Sequence, residues 1–252
     1  MLNRDRLIVA LDVSSAAEAR RIVQSVGESA STYKIGKQLF TAEGPQIVRD
    51  LLASGRKVFL DLKFHDIPST VAAAVREAAR MDVSMLTVHA SGGSKMLQAA
   101  AEAAAQSSAK PIVLAVTVLT SLSDADLAEI GVSGHVQTQV LRLGSLALKA
   151  GCGGLVASAL EARELRRQLG PDFPIVTPGI RMGGPPLPAV AKGGLGTRSD
   201  DQARVLTPRE AIAAGATHLV VGRPVLQATS PGHAADDIVQ EIGAALAAPV
   251  SS

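Results

Sequence analysis

Short unbroken apolar runs alternate along this chain with longer stretches whose apolar positions recur at helical spacing. The runs are Leu7–Leu11, Tyr33–Ile35, Val58–Leu62, Met85–Val88, Ile112–Val118, Gly154–Val156, Ile175–Val176 and His218–Val221. Continuous aliphatic and β-branched runs, without polar alternation, suit parallel strands covered on both faces. Repeated strand–helix units of this kind predict an α/β fold, a single (β/α)8 TIM barrel formed by one domain over residues 1–252. Periodicity does not reveal closure, so an open doubly wound sheet is the rival architecture.

Two connections are longer than one strand–loop–helix unit. Between Thr117 and Ala157 the spacing predicts an extra short helix, Asp124–Ile130, before the main one at Val136–Lys149. Between Pro178 and Gly222 lies Met182–Ala203, rich in Gly and Pro, which reads as a long lid loop at about 182–203. Helical pattern resumes at Thr207-Pro208-Arg209-Glu210, with Thr as N-cap, Pro at the first position and Glu at the third. The tail from Ala247 to Ser252 is expected to fray.

Composition narrows the core. Aromatics are only 2% of a chain that is 47% hydrophobic, so Val, Ile, Leu and Ala must fill the interior. The net charge of +2 is spread over interspersed acidic and basic residues, with no basic block to suggest nucleic-acid binding. Cys152 is the single cysteine, which excludes an internal disulfide and fits a reducing compartment. The first apolar run is too short to span a membrane and lacks the features of a secretion signal. A soluble cytoplasmic protein is expected.

In either architecture reactive groups gather at the C-terminal ends of strands. There the sequence places Asp12, Lys34, Asp61, Lys63, His89, Thr117, Thr120, Ser158, Arg181 and Arg223. Asp61 and Lys63 are two apart on a strand and so share a side. Alone, such a pair reads as an ordinary ion pair; beside Asp12 and Lys34 it becomes an alternating charge cluster that is costly to desolvate, which favours a functional site. Asp66 precedes Ile67-Pro68 and is equally readable as a helix cap or a reactive carboxylate. Gly222-Arg223 and Gly179-Ile180-Arg181 place backbone N–H groups and guanidinium groups after the last two strands, a common phosphate site in barrels. No dinucleotide fingerprint follows the first strand, the histidines show no metal-ligand spacing, and no metal or organic cofactor is required.

The segments Phe59–Thr70, Lys34–Lys37, Val88–Gly93, Val116–Ser121, Thr177–Arg181 and Val221–Pro224, in consistent order from Leu7 to Gln227, resemble the orotidine 5′-phosphate decarboxylase family. The resemblance implies cofactor-free decarboxylation of orotidine 5′-monophosphate to UMP and CO2 in pyrimidine biosynthesis. It implies Lys63 as proton donor to C6, with Asp61 beside the substrate carboxylate in a network with Lys34 and Asp66. It further implies a homodimer in which Asp66 enters the partner's site with Ile67 and Thr70 nearby. Asp12 and Lys34 would hold ribose hydroxyls, Thr120 and Ser158 the ribose or pyrimidine, and Gln202, Gly222 and Arg223, assisted by Arg181, the phosphate. Ser69 stands where this family commonly has Asn. Competing readings are a metal-dependent sugar-phosphate decarboxylase or aldolase, a Schiff-base aldolase using Lys63, and a non-catalytic nucleotide-phosphate binder.

Overall fold

A computed structural model describes residues 1–183 and 206–248. Its strands are β1 (Leu7–Ala10), β2 (Thr32–Gly36), β3 (Lys57–Phe64), β4 (Met85–His89), β5 (Ile112–Val116), β6 (Gly154–Val156), β7 (Ile175–Thr177) and β8 (His218–Val221). Each pairs in parallel with the next, and β1 pairs with β8 through Leu7↔Leu219 and Val9↔Val221. That last ladder closes the barrel and rules out the open sheet.

The helices are α1 (Ala16–Val26), α2 (Lys37–Glu43), α3 (Gln46–Ala53), α4 (Pro68–Arg80), α5 (Gly93–Ala105), α6 (Asp124–Glu129), α7 (Val136–Lys149), α8 (Ala159–Leu169), α9 (Pro208–Ala213), α10 (Arg223–Leu226) and α11 (Pro231–Ala247). The second repeat is split into α2 and α3 because Gly44 turns at a φ of 64° and Pro45 follows. The short α6 and the longer α7 occupy the positions the spacing predicts. At α9, Thr207 Oγ1 accepts from Glu210 N at 3.2 Å while the Glu210 carboxylate accepts from Thr207 N at 2.9 Å, the reciprocal cap expected there. Some ends differ from expectation. β1 ends at Ala10 and β5 at Val116, although Leu11 N and Thr117 N still donate to Lys34 O and Val156 O, and Ala247 belongs to α11 rather than to a frayed tail.

Two apolar layers account for the unbroken runs. Ile8, Ala10, Phe59, Met85, Leu114, Val176 and Val220 fill the barrel interior. Intervening residues such as Leu7, Val9, Leu60, Leu155 and Leu219 face the helices in the second, larger core. A strand buried on both faces has no polar alternation to display. The excursion after β7 is tied at its base, where Ile180 and Leu206 form a parallel bridge and Arg181 N donates to Leu206 O at 3.0 Å. The lid expected at about 182–203, including Gln202, lies almost wholly outside the described residues. No helix among the described residues is long and apolar enough to cross a membrane.

Candidate active site

Four charged side chains from three adjacent strand ends form an alternating row. Lys34 Nζ lies 2.9 Å from Asp12 Oδ1 and 3.6 Å from Asp61 Oδ2. Lys63 Nζ then reaches both Asp61 oxygens, at 2.7 and 2.8 Å. Asp61 is well covered, with its side chain 13% exposed, whereas Asp12 at 55% opens toward the mouth. Two glycines make room for the row. A Cβ on Gly36 would stand 2.9 Å from Lys34 Nζ, and one on Gly222 3.3 Å from Asp12 Oδ2.

Electrostatics keep Asp61 ionised. Burial alone pushes the Asp61 carboxyl up, but the Lys34 and Lys63 charges, with hydrogen bonds from Lys63 and Thr87, more than offset it and hold the group below its ordinary range. Asp61 is therefore a carboxylate at neutral pH, although it is nearly enclosed.

The local backbone at Lys63 is unusual. The β3–β4 ladder runs Phe59↔Met85 and Leu60↔Leu86, then resumes only at Phe64↔Val88. Within this irregular stretch Lys63 adopts a φ of 53°, the left-handed region that side chains other than glycine seldom enter. Its N–H donates to Thr87 Oγ1 at 2.9 Å, and the same hydroxyl donates to Asp61 Oδ1 at 3.0 Å. Sequence reasoning passed over Thr87. The available signal was a lone polar residue inside the apolar run Met85–Val88, two before His89 and therefore on the same side.

The remaining candidates surround this row unevenly. Asp66 stays out of it within one chain: its carboxylate accepts from Ile67 N at 2.6 Å, and Asp66, Ile67 and Thr70 are all exposed. An open hollow is lined by His65, Asp66, Ile67, Pro68, Ser91 and Gly92. His65 packs its ring 5.5 Å from that of His89, whose basicity is lowered by burial first and then by the nearby His65, Lys63 and Lys37. Ser158 is fully buried after β6; its N–H donates to Glu161 at 2.9 Å, and its hydroxyl finds no partner among the described residues. Thr120 is half-buried in the turn after β5. Arg181 follows β7, and Gly222 and Arg223 join β8 to α10, so these three sit at neighbouring strand ends. Gln202 is not among the described residues. No three His, Cys, Asp or Glu side chains among the described residues are grouped so as to hold a metal ion.

A sequence model of the Orotidine 5′-phosphate decarboxylase / HUMPS family matches residues 5–238, barrel and charge row together. The chain belongs to that family. Among relatives, the orotidine 5′-phosphate decarboxylase of Neisseria meningitidis serogroup A is 49% identical over 228 residues, covering 90% of this chain and 88% of the relative. That of Tolumonas auensis is 47% identical over 247 residues, covering 98% of this chain and all of the relative. The crystal structure of orotidine 5′-phosphate decarboxylase from Lactobacillus acidophilus superposes with a TM-score of 0.79 at 35% identity, covering 94% of this chain and 99% of that one. The row Asp12–Lys34–Asp61–Lys63 lies wholly within the matched residues, and this chain shares its overall fold with the solved relative.

Proposed function

We propose that the Asp12–Lys34–Asp61–Lys63 row is the machinery with which this chain converts orotidine 5′-monophosphate to UMP and CO2. The activity itself, a carboxy-lyase reaction in pyrimidine synthesis, follows from the family and its relatives. The observation that carries the residue assignment is the Lys63 ammonium, fixed against the carboxylate of Asp61 at the mouth of the barrel.

The chemistry needs a cation at one atom. When the bond from C6 to the substrate carboxylate breaks, CO2 leaves and the electron pair stays on C6. Lys63 stabilises that developing charge and then donates a proton to it, forming the C6–H bond of UMP. An ammonium has three N–H donors and Asp61 engages at most two, so at least one remains to face C6. Asp61 stands beside the substrate carboxylate and disfavours it before CO2 is lost. Asp12 and Lys34 take ribose hydroxyls; Asp12, half open to the mouth, still has acceptor capacity.

Phosphate falls to Gly222, Arg223 and Arg181 at the ends of β8 and β7, and to Gln202, which lies outside the described residues; Thr120 and Ser158 take the ribose or pyrimidine. Binding energy from these remote groups organises the charge row for the chemical step. The chain is read as a single domain over 1–252. It acts as a homodimer in which Asp66 joins the partner's site with Ile67 and Thr70, in keeping with their exposure outside their own row. Its place is the cytoplasm, in keeping with the lone, buried Cys152.

The test is an ultraviolet assay of orotidine monophosphate loss after exhaustive treatment with chelator. Full turnover under those conditions is expected. Turnover that returns only on adding a divalent cation would replace this reading with the metal-dependent sugar-phosphate chemistry considered from sequence.

A further inference from the structure

The irregular stretch of β3 creates a specific backbone problem. Between Leu60↔Leu86 and Phe64↔Val88 the regular ladder is interrupted, and the two members of the row carried by β3, Asp61 and Lys63, lie inside the interruption. A backbone N–H there needs a partner, because an unmade hydrogen bond in a covered position is destabilising. The Lys63 N–H finds one in a side chain: Thr87 Oγ1 at 2.9 Å. That hydroxyl has one proton, and it is spent on Asp61 Oδ1 at 3.0 Å. One buried hydroxyl thus accepts from the backbone of the proposed acid and donates to the carboxylate that holds its ammonium.

We propose that Thr87 is a positioning residue of the decarboxylation, locking the left-handed backbone of Lys63 and the carboxylate of Asp61 into one rigid unit. The inference rests on the reading of Lys63 as proton donor. Its physical content is a closed circuit. Lys63 Nζ is bound to Asp61, Asp61 is bound to Thr87, and Thr87 is bound to the Lys63 N–H. The ammonium is held by its bond to Asp61, and Thr87 holds both that carboxylate and the backbone from which the ammonium extends. Thr87 itself is completely buried on β4, whose flanking residues Leu86 and Val88 pack in the helix-facing core.

A hydroxyl is required and a methyl is not. Thr87→Val conserves the shape but leaves the Lys63 N–H without its acceptor and Asp61 without one donor. Misplacing a reacting group by about 1 Å is enough to lower a rate on the order of 10²-fold. Since Thr87 touches the acid and not the phosphate groups, the loss should fall on kcat.

The decisive measurements are steady-state kinetics of Thr87→Val and Thr87→Ser, with amide hydrogen exchange of the native chain. We expect Thr87→Val to lose on the order of 10²-fold in kcat with KM changed by less than about threefold. Thr87→Ser, which keeps the hydroxyl, should recover most of kcat. A Thr87→Val enzyme with native kcat, or a Thr87→Ser enzyme as impaired as the valine variant, would overturn the assignment. If the valine variant does not fold, exchange in the unmodified protein decides: the Lys63 amide should be protected like those of the regular β3 ladder, and exchange at loop rates refutes the circuit. Failure of the underlying reading looks different, because Lys63→Ala would then keep near-native turnover while the Lys63 amide of the native chain stayed protected.

Discussion

Lys63 combines an ammonium gripped by two carboxylate oxygens with a backbone in the left-handed region. The two features make separable predictions. Replacing the side chain removes the proposed acid, so Lys63→Ala and Lys63→Gly should both lose at least ~10³-fold in turnover. Neither should unfold, because Asp61 keeps Thr87 at 3.0 Å and Lys34 at 3.6 Å, and the lost pair is partly open to water. Their stabilities should differ, however. A left-handed residue with a Cβ costs about 1–2 kcal/mol, and glycine gives back roughly 0.5–1 kcal/mol of that through its greater freedom in the unfolded chain. Urea denaturation should therefore find the glycine variant more stable than the alanine variant by about 0.5–1 kcal/mol. An alanine variant equal to or above glycine would contradict the left-handed geometry at Lys63.

At the scale of the element, β8 carries a different kind of titration at the end of the barrel remote from Lys63. His218 opens the strand, its Nδ1 2.9 Å from Thr217 Oγ1. Burial, then the Arg6 charge, with Asp5 opposing and Lys57 adding, pushes its pKa down to about 4. The unfolded chain titrates near the ordinary value of 6.5, so between these values the unfolded state binds more protons than the folded one. Stability is accordingly full above pH 6.5 and falls as pH drops toward 4, by about 3 kcal/mol from this residue. Denaturation curves across that window should slope less for His218→Phe than for the native chain; parallel slopes would show that His218 is not the source. Strands of this kind were legible in the chain because burial on both faces writes an unbroken apolar run, and β6 and β8 were delimited to the residue. The charged strand ends were legible as well, since Asp12, Lys34, Asp61 and Lys63 have no other reason to interrupt such runs together. The break between α2 and α3, signalled by Gly44-Pro45, went unread because helical spacing continues on either side of it. Thr87 was hidden for a deeper reason: its importance depends on the β3–β4 register, and a register shift is a property of two strands that neither sequence displays alone.

The whole molecule poses the question of where Asp66 acts. Within one chain its carboxylate turns back to the Ile67 N–H, and no ion pair joins it to Lys34 or Lys63 among the described residues. Next to it Ile67 is 63% exposed, a large apolar side chain on the wall of an open hollow. Exposed apolar surface beside a carboxylate that stays outside its own chain's row is what a shared interface would use, and a closed two-fold dimer would deliver the same residues reciprocally to both sites. Complementation distinguishes this from a site complete in one chain. In a homodimer of Lys63→Ala every site lacks its acid, and in one of Asp66→Asn every site lacks the partner's carboxylate, so each alone should retain little turnover. In a mixed dimer, one site combines both defects while the other joins the native Lys63 of one chain to the native Asp66 of its partner. Random reassociation makes about half of the dimers mixed, each with one intact site of two, so about a quarter of native activity should return. Native mass spectrometry can verify that mixed dimers have formed. If they form and turnover stays at the sum of the two parent variants, Asp66 serves its own chain, and the exposed Ile67 needs another explanation.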